Sequence, residues 1–185
     1  MGKVRFGLSN VRYAVLDTAK DTYGTPVKMP GAVTLEVSYD GETSTFRADN
    51  KDYASFNGAP TISGTLTIAD VPADFRKDVL KYVEDNGVLF EDLGAQSAHV
   101  ALLFEISGNE VDQRFCLYDV TFSRPGMSAN TTDTTITPDT LSLSFTAVGK
   151  DLTIGGVTVN TAKSSVESGD AAYDTFMDKV YLPAA

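Results

Sequence analysis

Alternation with a period of two is the feature that most restricts this chain. Between Ala32 and Tyr39, residues Val33, Leu35, Val37 and Tyr39 fall on one side and Thr34, Glu36 and Ser38 on the other. That is the pattern of a strand with one face in a core and one in water. Asp40-Gly41 follows at once and supplies residues that tolerate the positive φ angles of a tight hairpin, so Thr43 to Asp49 is expected to return beside it. The same pattern predicts strands near Val11 to Asp17, Thr61 to Ala69, Ala98 to Ser107, Gln113 to Ser123 and Leu141 to Val148. Clusters such as Ser107-Gly108-Asn109 and Arg124-Pro125-Gly126 separate them. The strands at 98–107 and 113–123 each span on the order of 30 Å at ~3.3 Å per residue, enough for an extended sheet. Phe115 and Leu117 are out of phase with Val120 and Phe122, which puts a bulge near Asp119.

One segment, Pro72 to Val83, reads as a helix. Proline suits the first turn, Asp74 suits the positive helix end and Gly87 lies past the other end. Phe75, Val79, Tyr82 and Val83 form a stripe that would pack on a sheet. A weaker helical spacing joins Tyr173, Phe176, Met177 and Val180 within Ala171 to Val180, ahead of Pro183. Thr18 to Gly31 and Pro125 to Pro138 read as irregular, exposed loops or arms of a length that a compact domain keeps for a purpose. At 185 residues the chain suits one well-cored domain. The stretch from Gly149 changes character, with a small-residue hairpin at Gly155-Gly156. The expected division is therefore a β domain over 1–148 and a C-terminal extension or arm over 149–185.

The chemistry-bearing residues are few. With 15 Lys and Arg against 25 Asp and Glu, the formal charge is -10, the reverse of what a protein that grips phosphate backbones carries. Such a surface still suits DNA passing without attractive contacts. The single cysteine, Cys116, sits between Phe115 and Leu117 and reads as a structural thiol. His99 is the lone histidine and has no triad signature around it. In strand phase it lies opposite Val100, Leu102 and Phe104, as a solvent-side or subunit-contact residue.

Two such residues cannot build structural zinc. The clusters Asp49, Asn50, Asp52 and Glu84, Asp85, Asn86 lack the pattern of a calcium loop and read as solvated turns. There is no phosphate-cradling glycine motif, no leader-like start and no apolar run of the ~20 residues that a membrane-spanning helix needs. Asn130-Thr131-Thr132 matches a glycosylation sequon by form alone. No metal, cofactor or membrane partner is expected. Paired carboxylates leave a glycoside-hydrolase reading open, weakened by the absence of tryptophan. An all-β module presenting loops to a carbohydrate or host protein is the other alternative.

The run Lys3-Val4-Arg5-Phe6-Gly7-Leu8-Ser9-Asn10-Val11-Arg12-Tyr13-Ala14-Val15 resembles the opening of the major tail tube proteins of long-tailed phages of Gram-positive bacteria, the phi13-type family. Tyr23-Gly24-Thr25-Pro26-Val27 with Pro30-Gly31-Ala32-Val33, and Phe46-Arg47-Ala48-Asp49-Asn50 with Tyr53, resemble its next blocks. Pro72 to Leu80 resembles the family helix, and Ala101 to Glu105, Leu117-Tyr118-Asp119 and Ser123-Arg124-Pro125 resemble later strands. These blocks occur in family order from Lys3 to Val148, with a similar ending at Lys179 to Pro183, while 149–170 departs from the pattern.

The resemblance implies a mainly β fold, a tail-tube β-sandwich or barrel with one flanking helix and long loops or arms. It implies a non-enzymatic subunit of the virion tail, assembled in the bacterial cytoplasm into stacked hexameric rings. Double-stranded DNA would pass through these rings without specific binding. The partners implied are further copies of the chain, a tape measure, a tail terminator and distal tail proteins. A tube of a phage-like particle that delivers no genome fits as well. Tyr23, Gly24, Pro26, Pro30, Met127, Thr132, Thr135 and Pro138 are the candidate contacts between subunits. Glu36, Glu42, Asp49 and Asp52 are the candidate acids of the lumen or rim.

Overall fold

The computed structural model describes residues 5–41, 43–48, 50–58, 60–108, 110–127 and 139–183. The long strand β1 (Arg5–Asp17) is followed by two short ones, β2 (Thr22–Tyr23) and β3 (Val27–Lys28). Then come β4 (Ala32–Asp40), β5 (Thr43–Ala48), β6 (Lys51–Asn57), β7 (Thr61–Ile68) and the helix α1 (Ala73–Asp78). After β8 (Val83–Asp85) and β9 (Val88–Phe90) the chain forms β10 (Val100–Gly108), β11 (Gln113–Phe122) and β12 (Leu141–Ala147). It continues as β13 (Lys150–Ile154), β14 (Val157–Thr161) and β15 (Lys163–Glu167). The fold is mainly β: one large antiparallel sheet in the order β2-β1-β10-β11-β12-β7-β4, with β3 on β1 and β15 on β11. Three separate hairpins, β5–β6, β8–β9 and β13–β14, accompany it.

Alternation sorts the side chains into two cores. On one face Val100, Leu102 and Phe104 of β10 meet Leu117, Val120 and Phe122 of β11 and Leu66 and Ile68 of β7, with Phe75, Val79 and Leu80 laid over them. On the other face Ala101, Leu103, Cys116 and Tyr118 meet Phe176, Met177 and Val180. The sheet also curves, so that β1 and β4 come into contact. An apolar groove of about 370 Å³ between them is lined by Phe6, Leu8, Leu35, Val37, Tyr39 and Phe104, among others.

The phase break in β11 is a bulge. Val100 and Leu102 pair with Val120 and Leu117, so the partner strand holds an extra residue there, and Asp119 adopts φ 43°. The glycine-paired hairpin is also present, with Gly155 and Gly156 at φ 59° and 83° between β13 and β14, the primed-turn geometry that fits strand twist.

Four sequence expectations are corrected. First, β4 pairs with β7, and β5 pairs with β6. A turn signal marks where the chain reverses, not which strand it pairs with. Strand β7 sets Leu66 opposite Leu35, whereas Thr43–Ala48 has Phe46 as its one large apolar residue. A register shift between Ala32 and Thr34 leaves Val33 54% exposed, off the buried side.

Second, α1 stops at Asp78. Lys81 at φ 60° turns the chain, Leu80 becomes buried and Val83 sits exposed in β8. Third, the stretch from Thr18 to Gly31 is not irregular throughout, since β2 and β3 pair with β1 and Met29 is buried.

Fourth, Ala171 to Val180 is a succession of turns, with Phe176 N–H bonding to Tyr173 O at 3.2 Å and Asp178 N–H to Thr175 O at 3.1 Å. Side chains of the sheet hold the carbonyls of this segment and of Tyr181 in place. Arg114 donates to Tyr173 O, Arg12 to Met177 O at 2.7 Å and the Tyr118 hydroxyl to Tyr181 O at 2.8 Å. The helical spacing of Phe176, Met177 and Val180 was a true burial signal without a helix behind it.

Buried phenols give this packing a pH limit. Burial, followed by the neighbouring Cys116, pushes Tyr118 up to about 12, and burial together with Asp78 raises Tyr13 as well. A raised phenol favours the neutral folded form, so its stabilisation is complete below the ordinary value near 10 and is lost as pH rises through 12. Urea midpoints should therefore be level from pH 8 to about 10 and then fall, with Tyr118 alone removing on the order of 2 kcal/mol by pH 12. A flat profile to pH 12 would contradict the burial of these hydroxyls.

Candidate assembly surfaces

The solvent side of β4, β7 and β12 is built of hydroxyls. Register aligns them in rows across the strands: Thr34 with Thr67 and Ser142, Glu36 with Thr65 and Ser144, and Ser38 with Ser63 and Thr146. Thr121 of β11 extends the last row opposite Thr146. Ser38 Oγ lies 3.1 Å from Ser63 Oγ, and Ser63 donates to the Asp40 carboxylate. The rows follow from alternation, because Ser, Thr and Glu recur at every second position while Leu35 and Val37, Leu66 and Ile68, and Leu143 and Phe145 between them pack in the first core. The charged residues of the rows are Glu36 and, at the end of the face opposite Thr61, Asp40. Gly64 at their centre leaves the space that the Phe145 ring occupies, only 2.4 Å from where a Cβ would stand.

This face ends at β4, which comes into contact with β1 where the sheet curves. Among the described residues β4 pairs with β7 alone, leaving a line of backbone donors and acceptors on its far side. Val33 and Tyr39, 54% and 55% exposed, lie along that edge. The β8–β9 and β13–β14 hairpins also carry exposed apolar side chains, among them Val83, Val88 and Phe90 on the first and Ile154, Val157 and Val159 on the second.

Of the acids expected at a lumen or rim, Glu36 is exposed in the hydroxyl rows. Asp52 is instead on the β5–β6 hairpin, paired with Arg47 at 2.9 Å. Glu42 and Asp49 lie outside the described residues. Of the expected subunit contacts, Tyr23 is half-buried in β2, Gly24 and Pro30 are exposed and Pro26 is half-buried. Met127 is exposed, and Thr132, Thr135 and Pro138 lie outside the described residues.

Residues 23–30 run along β1, whereas the hydroxyl rows lie on β4, β7 and β12, so the structure does not gather the two sets of expected residues on one strand group. Reasoning from sequence passed over the Ser and Thr rows, although their alternate spacing was visible. His99 is part-exposed and hydrogen-bonds through Nδ1 to Asp119 at the bulge. Cys116 is fully buried, and desolvation pushes its thiol well above the usual range. Among the described residues no three His, Cys, Asp or Glu side chains converge to hold a metal ion.

No family model matches this chain, and no curated protein matches it. Among solved structures, the tube terminating cap of the anti-feeding prophage, seen by cryo-EM, aligns with a TM-score of 0.47 at 10% identity. That alignment covers 89% of this chain and 94% of the cap. The likeness is remote.

Proposed function

We propose that this chain is a structural subunit of a phage tail tube or of the tube of a phage-like particle. Copies would join edge to edge into hexameric rings that stack into a conduit for double-stranded DNA. The observation that carries the reading is the set of hydroxyl rows ending at β4, which has β7 as its one ladder partner among the described residues. Copies joined at that edge would continue the rows into a closed, hydroxyl-lined wall, pairing backbone groups that a lone sheet leaves open. A wall of neutral hydroxyls with scattered carboxylates has no Lys or Arg to exchange for the counterions of DNA, so the polymer would pass without sticking.

The ordered sequence blocks point the same way, and they bring a tape measure, a tail terminator and distal tail proteins as neighbours. Tyr23, Gly24, Pro26, Pro30 and Met127 remain proposed contacts between subunits or rings, and Glu36 the proposed lumen acid. In this reading the protein works by assembly, and no bond is made or broken.

Negative-stain electron microscopy of concentrated protein tests it. Hollow tubes of constant bore are expected, and a single compact particle at every concentration would refute it. Glu36→Lys tests the lining: variant tubes should retain DNA at low salt and release it as salt rises, where wild-type tubes do not. If variant and wild-type tubes ignore DNA equally, the hydroxyl rows do not face the bore.

A further inference from the structure

Residues 170–182 lie over the sheet face opposite α1 as a strap. Among the described residues its one backbone hydrogen bond to a strand is the local turn from Asp170 N–H to Glu167 O at 3.1 Å, at the end of β15, so its departure breaks no ladder. It is held instead by side chains of the sheet. Arg114 reaches Tyr173 O and stacks 3.9 Å over the Tyr173 ring. Arg12 reaches Met177 O at 2.7 Å, and Tyr118 reaches Tyr181 O at 2.8 Å. Phe176, Met177 and Val180 fill the apolar seat between these anchors. The tether from β15 contains Gly169, which adopts φ 104° in a turn closed by Asp170 N–H to Glu167 O and by Glu167 N–H to the Asp170 carboxylate, each at 3.1 Å, and this turn is the hinge of the strap.

We infer that the strap is exchangeable, and that the seat it covers is a docking surface for the strap of a second copy of this chain. The inference rests on the reading of the protein as a self-assembling subunit. The seat already fits this segment in chemistry and shape, so the same segment of another copy meets the same three donors and the same apolar floor. Exchange of an identical element adds no new interface to evolve. A bare seat would expose buried Leu103, Cys116 and Tyr118, so release is favourable only where a neighbour's strap replaces the lost one. The exchange would tie copies together at a face distinct from the β4 edge, with the hydroxyl rows untouched.

The test uses the full chain with Tyr173 replaced by the photo-reactive p-benzoylphenylalanine, prepared in light and heavy nitrogen. The two are mixed, concentrated, irradiated, digested and read by mass spectrometry. Dilute protein should give strap-to-sheet cross-links within one isotope only, and concentrated protein should give mixed light–heavy pairs.

Tubes without mixed pairs overturn the exchange and leave the tube reading standing. Mixed pairs without tubes keep the exchange and remove the tube reading, and the absence of both removes both. Cys116, beneath the strap, gives a second readout in case the photo-reactive variant misfolds. Arg114→Ala, which drops one charged anchor, should raise its alkylation rate at least about tenfold in dilute protein. Equal rates in variant and wild type overturn the proposal.

Discussion

Phe75→Ala should lower unfolding free energy by about 3–5 kcal/mol, the cost of emptying a fully buried aromatic site. Phe75 is the buried residue of α1, and it meets Tyr13 and Phe122 edge-on, at 5.1 and 5.2 Å between ring centres. Removing it deletes both ring pairs and leaves a void that a six-residue helix cannot close by sliding, because Val79 and Leu80 beside it are already fully buried. Domains of this size commonly have only about 5–15 kcal/mol in total, so the loss is a large share of the margin. The measurement is a thermal melt, in which a fall of roughly 6–20 °C is expected for a chain of this length. A fall below about 3 °C would mean that α1 is not pinned to the sheet through this ring.

Gly64→Ala should cost at least about 3 kcal/mol, at the severe end for overpacking. An added methyl would sit 2.3 Å from Glu36 O on β4 and 2.4 Å from Phe145 Cζ on β12. The first neighbour is backbone, so relief requires the edge strand to move or the Phe145 ring to leave the core it shares with Phe122 at 5.5 Å. Urea denaturation gives the stability loss. If β4 moves, assembly should fall further than stability alone explains, because hydroxyl rows run from β4 to β7 on either side of this position. A variant within about 0.5 kcal/mol of wild type, the range of an ordinary surface change, would show that β4 and β7 do not meet as closely as described.

The sequence disclosed much of the architecture where one physical signal acted alone. Alternation located β4, β7, β10, β11 and β12 to within a few residues, and the phase slip between Leu117 and Val120 located the Asp119 bulge. Positions shaped by partners elsewhere in the chain were less legible. The pairing of β4 with β7 depends on Leu66, far away in sequence, and the strap is anchored by Arg12, Arg114 and Tyr118, which its own sequence does not show. At the candidate site, Glu36 was legible as an exposed acid because it opposes Leu35 and Val37. The rows around it were not, since their alignment is a matter of register between strands.

The two cores share β10 and β11 as a common wall. Residues Val100 to Phe104 and Phe115 to Tyr118 are buried from both sides, while the three hairpins lie outside the large sheet. Amide protons in that wall can exchange with solvent only when the whole domain opens, whereas those of the hairpins can exchange through local fraying. A slow slab inside a fast fringe lets one molecule keep its shape while its rim stays adaptable, and the order gained by that rim on meeting a neighbour would appear as newly protected amides outside the slab.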